Sequence, residues 1–234
     1  MKTMRLPVLL FAVCLICTAA AQAVEFRLLN WDGYDADLKF TNGGKAVPVS
    51  ANENDFSIVY KYTETDPIIF YKEVKRDDKT VKEIAATVAV PADMTHGILI
   101  LAATDSTLKT YVGLWVDDSP ESRPASTIRF VNLSSHKTVF KLGNEQFSLS
   151  PSGTHQVKFD PAVQRVVLQG AAQVDSQWIQ FSGNPIPVRA GLRLLVVMRD
   201  GRPSIGRDPT PVDLLSFYDR PPVPPVAATG RGPL

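Results

Sequence analysis

The chain has 234 residues, and its 25 basic and 24 acidic side chains leave a formal charge of +1, which does not favour a nucleic-acid partner. Its two cysteines, Cys14 and Cys17, lie close together near the N-terminus. Without that segment there is no thiol nucleophile, thiolate metal site or disulfide framework, and stability has to come from packing.

Lys2 and Arg5 precede an apolar run from Leu6 to Ala20, followed by the small-x-small tripeptide Ala21-Gln22-Ala23. The run is shorter than the roughly 20 residues that span a bilayer. Residues 1–23 are expected to be a cleaved signal peptide, which makes the mature protein periplasmic or secreted, with no membrane span.

From residue 24 onward the sequence reads as one all-β unit written twice. Phe26-Arg27-Leu28-Leu29-Asn30 returns as Ile128-Arg129-Phe130-Val131-Asn132, and without a gap Leu38-Lys39-Phe40 returns as Phe140-Lys141-Leu142. That register makes Lys39 match Lys141 and Asn42 match Asn144. Ser57 to Tyr62 alternates polar and apolar residues, as does Thr154 to Phe159, the period of a half-buried strand. Ile68 to Tyr71, Ile98 to Leu101 and Leu192 to Met198 are apolar runs that read as central strands. Gly97 to Leu101 is matched to Gly191 to Leu195, and Asp118-Ser119-Pro120 to Asp219-Arg220-Pro221. Turn residues separate the strands, among them Asn42-Gly43-Gly44, Arg76-Asp77-Asp78-Lys79, Gly143-Asn144 and Asp200-Gly201. No stretch carries a sustained helical stripe.

The predicted architecture is therefore all-β: two tandem antiparallel β-sandwich, immunoglobulin-like domains related by internal duplication. The first covers 24–120 and the second 126–221. Residues 121–125 form an extended linker between them, and 222–234 a disordered Pro-rich tail. Net charge differs between the copies. Residues 24–120 hold 10 Lys/Arg and 16 Asp/Glu, and residues 126–221 hold 11 and 7, giving −6 and +4. Opposite signs favour docking of one copy on the other, or association between chains.

Few residues point to chemistry. His96, His136 and His155 lack metal-ligand spacing. Ser106 to Lys109 and Ser134 to Lys137 have the Ser-x-x-Lys spacing of acyl-transfer enzymes, but in strand-and-turn sequence rather than on a helix. Asp32, Asp35 and Asp37 read as a strand-connecting loop rather than a calcium site. No catalytic residue, cofactor or metal is expected. Two groups remain as candidate binding surfaces. Arg189, Arg193, Arg199, Arg202 and Arg207 crowd one stretch of the second copy, where guanidiniums suit carboxylate or phosphate partners. Trp31 and Tyr34, in a predicted loop, are placed to stack on a sugar ring.

Arg129-Phe130-Val131-Asn132, Val139 to Gly143, and Leu149-Ser150-Pro151-Ser152-Gly153 with the strand after it resemble secreted bacterial tandem β-sandwich domains of unassigned function. That resemblance implies the fold and no catalytic residue. Phe217-Tyr218-Asp219-Arg220-Pro221 resembles the closing strand of periplasmic pilus chaperones, which also join two immunoglobulin-like units, although their halves do not align with each other as these do. The expectation is an exported non-enzymatic binding or assembly module of the envelope, whose partner is a protein, an anionic polysaccharide or a second copy of itself. The alternatives are an envelope-polymer hydrolase with a carboxylate pair, and a pilus-type chaperone.

Overall fold

The structure, a computed structural model, describes residues 23–31, 37–50, 55–105, 110–202 and 210–221. The predicted signal peptide up to residue 22 and the tail from 222 lie outside them. Among the described residues every regular element is a strand. The N-terminal half contains β1 (Val24–Asn30), β2 (Lys39–Asn42), β3 (Lys45–Pro48), β4 (Asp55–Phe56), β5 (Tyr60–Tyr62), β6 (Ile68–Arg76), β7 (Lys79–Val88), β8 (His96–Asp105) and β9 (Thr110–Asp117). The C-terminal half contains β10 (Thr127–Asn132), β11 (Thr138–Leu142), β12 (Glu145–Leu149), β13 (Thr154–Lys158), β14 (Arg165–Val174), β15 (Gln177–Ser182), β16 (Pro185–Pro187), β17 (Arg193–Asp200) and β18 (Val212–Asp219).

These strands form four sheets. Sheet I runs β4-β1-β8-β9, with β5 continuing beside β1, and sheet II runs β3-β2-β6-β7. Sheet III runs β13-β10-β17-β18 and sheet IV runs β12-β11-β14-β15, with β16 beside β14. Along these main paths the halves have the same strand order, with β4 and β5 together in the place of β13 and β16 present only in the second half. Most pairs are antiparallel, but β1 lies parallel to β8 and β10 parallel to β17. The sequence expectation of wholly antiparallel sheets is corrected at that pair. In each half the chain leaves the first strand, builds the other sheet, and returns alongside it in the same direction.

Alternation along the strands separates three apolar interiors. Phe26, Leu28, Phe40, Tyr60, Tyr62, Phe70, Leu99 and Leu101 fill the space between sheets I and II. Phe130, Phe140, Leu168, Leu194, Val196 and Met198 do the same for sheets III and IV. A third cluster joins the halves: Leu29, Trp31, Ile98, Ile100 and Val116 meet Val131, Leu195, Val197 and Phe217. β8 and β17 are apolar at consecutive positions because their odd and even side chains enter different interiors. Sheets I and III are therefore covered on both faces.

Backbone pairing also corrects part of the internal alignment. Gly43 and Gly143, both at positive φ, open two-residue turns at corresponding places in the two halves. Phe40 pairs with Phe70 as Phe140 pairs with Gly170. Lys39 therefore corresponds to Val139 rather than Lys141, and Asn42 to Leu142 rather than Asn144. A slip of two keeps every side chain on its face, so the two-residue error preserved the pattern. Likewise Arg27 lies beside Ile98 and Arg129 beside Leu195, so Ile98 corresponds to Leu195, not Leu192. With Arg27 set against Arg129, Asp118 falls against Asp219, because Ile98 pairs with Val116 as Leu195 pairs with Phe217.

The segment between the halves is a turn rather than an extended linker. The Arg123 backbone N–H donates to Ser119 O at 2.8 Å, and Ser122 N–H to Ser119 Oγ at 3.2 Å. The prolines of this segment had argued for extension, but a buried arginine holds it folded.

The β14–β15 hairpin turns on Asp175 and Ser176, with φ of 46° and 68°. Left-handed backbone disfavours a residue with a Cβ. Ser176→Gly should raise the unfolding free energy by roughly 0.5 to 1 kcal/mol, read from the urea midpoint at unchanged slope.

Candidate functional site

Two features stand out: a buried charge cluster where the halves meet, and a depression on the outer face of sheet IV. The cluster forms around strand ends and the middle of β1. Arg27 is at an odd position of β1, turned away from its own core, and Asp118 follows β9. Arg193 opens β17 and Asp219 closes β18, placing them directly opposite each other across that pair. Arg123 enters from the turn between the halves.

Each guanidinium bonds both carboxylates. Arg27 Nη2 lies 2.7 Å from Asp118 Oδ2 and 2.6 Å from Asp219 Oδ2. Arg123 reaches Asp118 at 2.5 Å and Asp219 at 3.2 Å. Arg193 reaches them at 3.0 Å and 2.5 Å. The Arg123 and Arg193 side chains are 0% and 1% exposed, and Asp118 and Asp219 9% and 6%. Three guanidiniums against two carboxylates leave one positive charge in excess. Arginine cannot shed its proton to relieve this. Backbone carbonyls take up further donors: Arg193 also donates to Arg123 O at 3.2 Å and Arg220 O at 3.4 Å.

These contacts shift the titrating groups. Burial would raise the Asp219 carboxyl, but hydrogen bonds from Arg193 and Arg27 and the charges of Arg123 and Arg193 hold it below the ordinary carboxylate range. Burial dominates at Arg123 and lowers it in spite of both aspartates. At Arg27 the pull of burial is outweighed by Asp118 and Asp219, and its pKa is raised. The guanidinium of Arg27 also lies 4.4 Å from the centre of the Phe56 ring, which ties the ion cluster to the apolar seam.

Among the described residues the predicted arginines do not share one surface. Arg193 is buried in the cluster, and Arg199 Nε sits 3.5 Å from Asp213 Oδ2, its cross-strand partner. The Arg202 N–H donates to Asp213 Oδ2 at 3.3 Å. Arg189 is exposed in the loop before β17, beside a small cavity with Pro187, Leu192 and Tyr218. Arg207 and Tyr34 lie outside the described residues. Trp31 does not face a ligand: it is 6% exposed, packs in the seam and donates its indole N–H to Leu101 O at 3.0 Å. Its position just past β1 carries it between sheets I and III.

Asn132, at the end of β10, is buried and caps the strand end. Its amide donates to His136 O at 2.9 Å and accepts from the Ser134 N–H at 3.0 Å and hydroxyl at 2.7 Å. Ser134 is thus engaged by Asn132. His155 pairs with Glu145 at 2.9 Å and stacks on Phe147, and His136 Nδ1 lies 3.2 Å from Gln173 O.

The depression on sheet IV has a volume of about 600 Å³ and lies across β12, β11, β14 and β15, with Gln146, Lys141, Gln169 and Gln180 in its lining. No carboxylate lines it. Strand alternation puts Trp178 on the same side of β15 as Gln180, opposite Gln173, and 48% of it is exposed. Sequence reasoning had singled out Trp31 and Tyr34, and not Trp178, as ligand-facing aromatics. Its signal was an aromatic in a strand opening from a turn, between Gln177 and Gln180.

No protein-family model matches the chain, and no curated protein matches it by sequence. Among the described residues no helix is long and apolar enough to cross a membrane.

The charge cluster sets the acid limit of the protein. A carboxyl held below its unfolded value of about 3.9 contributes stability that is complete above that pH and is lost as pH falls through the folded value. Stability should therefore decline below about pH 4. Asp219→Asn should flatten part of that decline and cost roughly 3 to 5 kcal/mol at neutral pH, because it leaves buried arginines short of counter-charge. Urea unfolding from pH 2 to 7 measures both.

Proposed function

We propose that this chain is an exported, non-enzymatic binding or assembly module of the cell envelope, acting through surface contacts with protein or polysaccharide. In this reading it consists of two tandem immunoglobulin-like β-sandwich domains related by internal duplication, similar to secreted bacterial tandem sandwiches. The equal strand order of the two halves supports the duplication, as do Asn30 and Asn132 ending corresponding first strands. Export rests on the N-terminal leader.

The observation that carries the functional reading is the use made of the converging carboxylates. A glycosidase needs two of them facing a substrate, roughly 5 to 9.5 Å apart. Here the pair that converges, Asp118 and Asp219, is bound by three arginines and almost fully buried. Those groups hold one half against the other, and the outer sheet faces are left for contacts. The shared strand order also weighs against the chaperone alternative, whose halves differ in topology.

Two measurements test this. The mature protein, incubated with isolated envelope fractions, should be retained on them without releasing soluble fragments; steady release of sugars or peptides would overturn the non-enzymatic reading. Scattering should give the same particle dimensions from low salt to 1 M NaCl, since buried ion pairs are screened far less than exposed ones. Expansion at high salt would mean that exposed charge, rather than the buried seam, joins the halves.

A further inference from the structure

We infer that the outer face of sheet IV is a binding platform for a neutral polysaccharide chain, with Trp178 as the stacking ring and Gln146, Gln169, Gln173 and Gln180 as its hydrogen-bonding groups. The inference rests on the binding-module reading and gives it a site and a ligand class.

Cross-strand register arranges the face in rows. Gln146, Lys141 and Gln169 stand side by side on β12, β11 and β14. One step along, Ser148, Val139, Ala171 and Gln180 form the next row, and beyond it Gln173 faces Trp178. Three inter-strand spacings make such a row about 14 Å long, room for a short oligosaccharide segment. The Gln180 amide donates to Ser182 O at 3.2 Å, which leaves its carbonyl oxygen as an acceptor.

The two halves differ at the point that opens the depression. Both carry a register shift at the same place in their long hairpins, between Phe70 and Tyr71 in one and between Gly170 and Ala171 in the other. β-Bulges re-aim side chains and recur beside binding sites. In the first half the residue after the shift is Tyr71, covered by Lys82, whose ammonium lies 4.2 Å from the ring centre. Tyr71 pairs with Lys39, which is bound to Glu73 at 2.7 Å. The corresponding residues of the second half are Ala171 and Val139, small and uncharged. The first half fills and charges this position, and the second leaves it open.

The chemistry of the opening selects the ligand. Amide side chains both donate and accept, as sugar hydroxyls do. A half-exposed indole presents an apolar face with a polar edge, which suits the C–H face of a pyranose. One lysine and no carboxylate in the lining give little to hold an anionic chain, and the predicted cationic face is spent in part on the seam. A peptide added as an extra strand needs a free sheet edge, whereas this is a face.

The test uses the mature chain with Trp178→Ala and Ala171→Tyr, the latter reproducing the filled position of the first half. Retention is measured on insoluble neutral glucans and mannan, and on alginate as the anionic comparison, at low and high salt. Thermal unfolding checks that each variant folds. Retention on at least one neutral polymer, insensitive to salt and weakened roughly tenfold or more by either variant, is expected. Equal retention by the folded variants would overturn the proposal, as would binding to alginate alone. Loss of all polysaccharide binding with continued retention on envelope protein removes this site and leaves the module reading standing. Loss of both removes both.

Discussion

Three arginines and two aspartates share one small buried space, and the position of almost everything else follows from how that charge is satisfied. Taking five ionised groups from water is costly unless each finds partners, and in a low-dielectric interior the attraction depends steeply on geometry. Residues from the middle of β1, just past β9, the turn between the halves and one end of the β17–β18 pair must all arrive together. The cluster adds specificity more than raw stability: apolar packing of Ile98, Ile100, Leu195, Val197 and Phe217 supplies the attraction, and the charges fix the orientation in which it is made.

The seam does not draw on the chain's uneven electrostatics, since each half puts one arginine and one aspartate into the cluster. The excess of acid in one half and base in the other suggested surface steering. At the contact the complementarity is local and buried: Asp118 of the first half holds Arg193 of the second, and Arg27 of the first holds Asp219 of the second. Further along β17, Arg199 turns to Asp213 of its own half.

Much of the fold was legible because strand period and turn chemistry are local signals. The apolar runs at Ile98 to Leu101 and Leu192 to Met198 identified strands covered on both faces, but not what covered the second face, since only long-range packing decides that. A lone Arg193 inside such a run was a signal that an apolar environment held a counter-charge. Arg123 gave no comparable sign, because a cation between serine and proline reads as solvated linker. Trp178 was missed for the opposite reason. An aromatic in an alternating strand is usually core, and only its place on the outer side of an edge strand leaves it half exposed. The two-residue slip in the internal alignment shows a further limit: patterns with period two cannot detect shifts of two.

The seam also has a kinetic side. β1 finds its parallel partner only when β8 has been made, as Leu28 must meet Leu99, and β10 waits likewise for β17. Such distant closures are slow. Until the second half is complete, Leu29, Ile98, Ile100 and Val116 line an uncovered apolar face. The 118–126 turn is the sole covalent joint across the seam. Were it to open in two molecules at once, each first half would meet the other's second half through the same contacts, a swapped pair whose abundance rises with concentration and whose separation requires the seam to come apart twice.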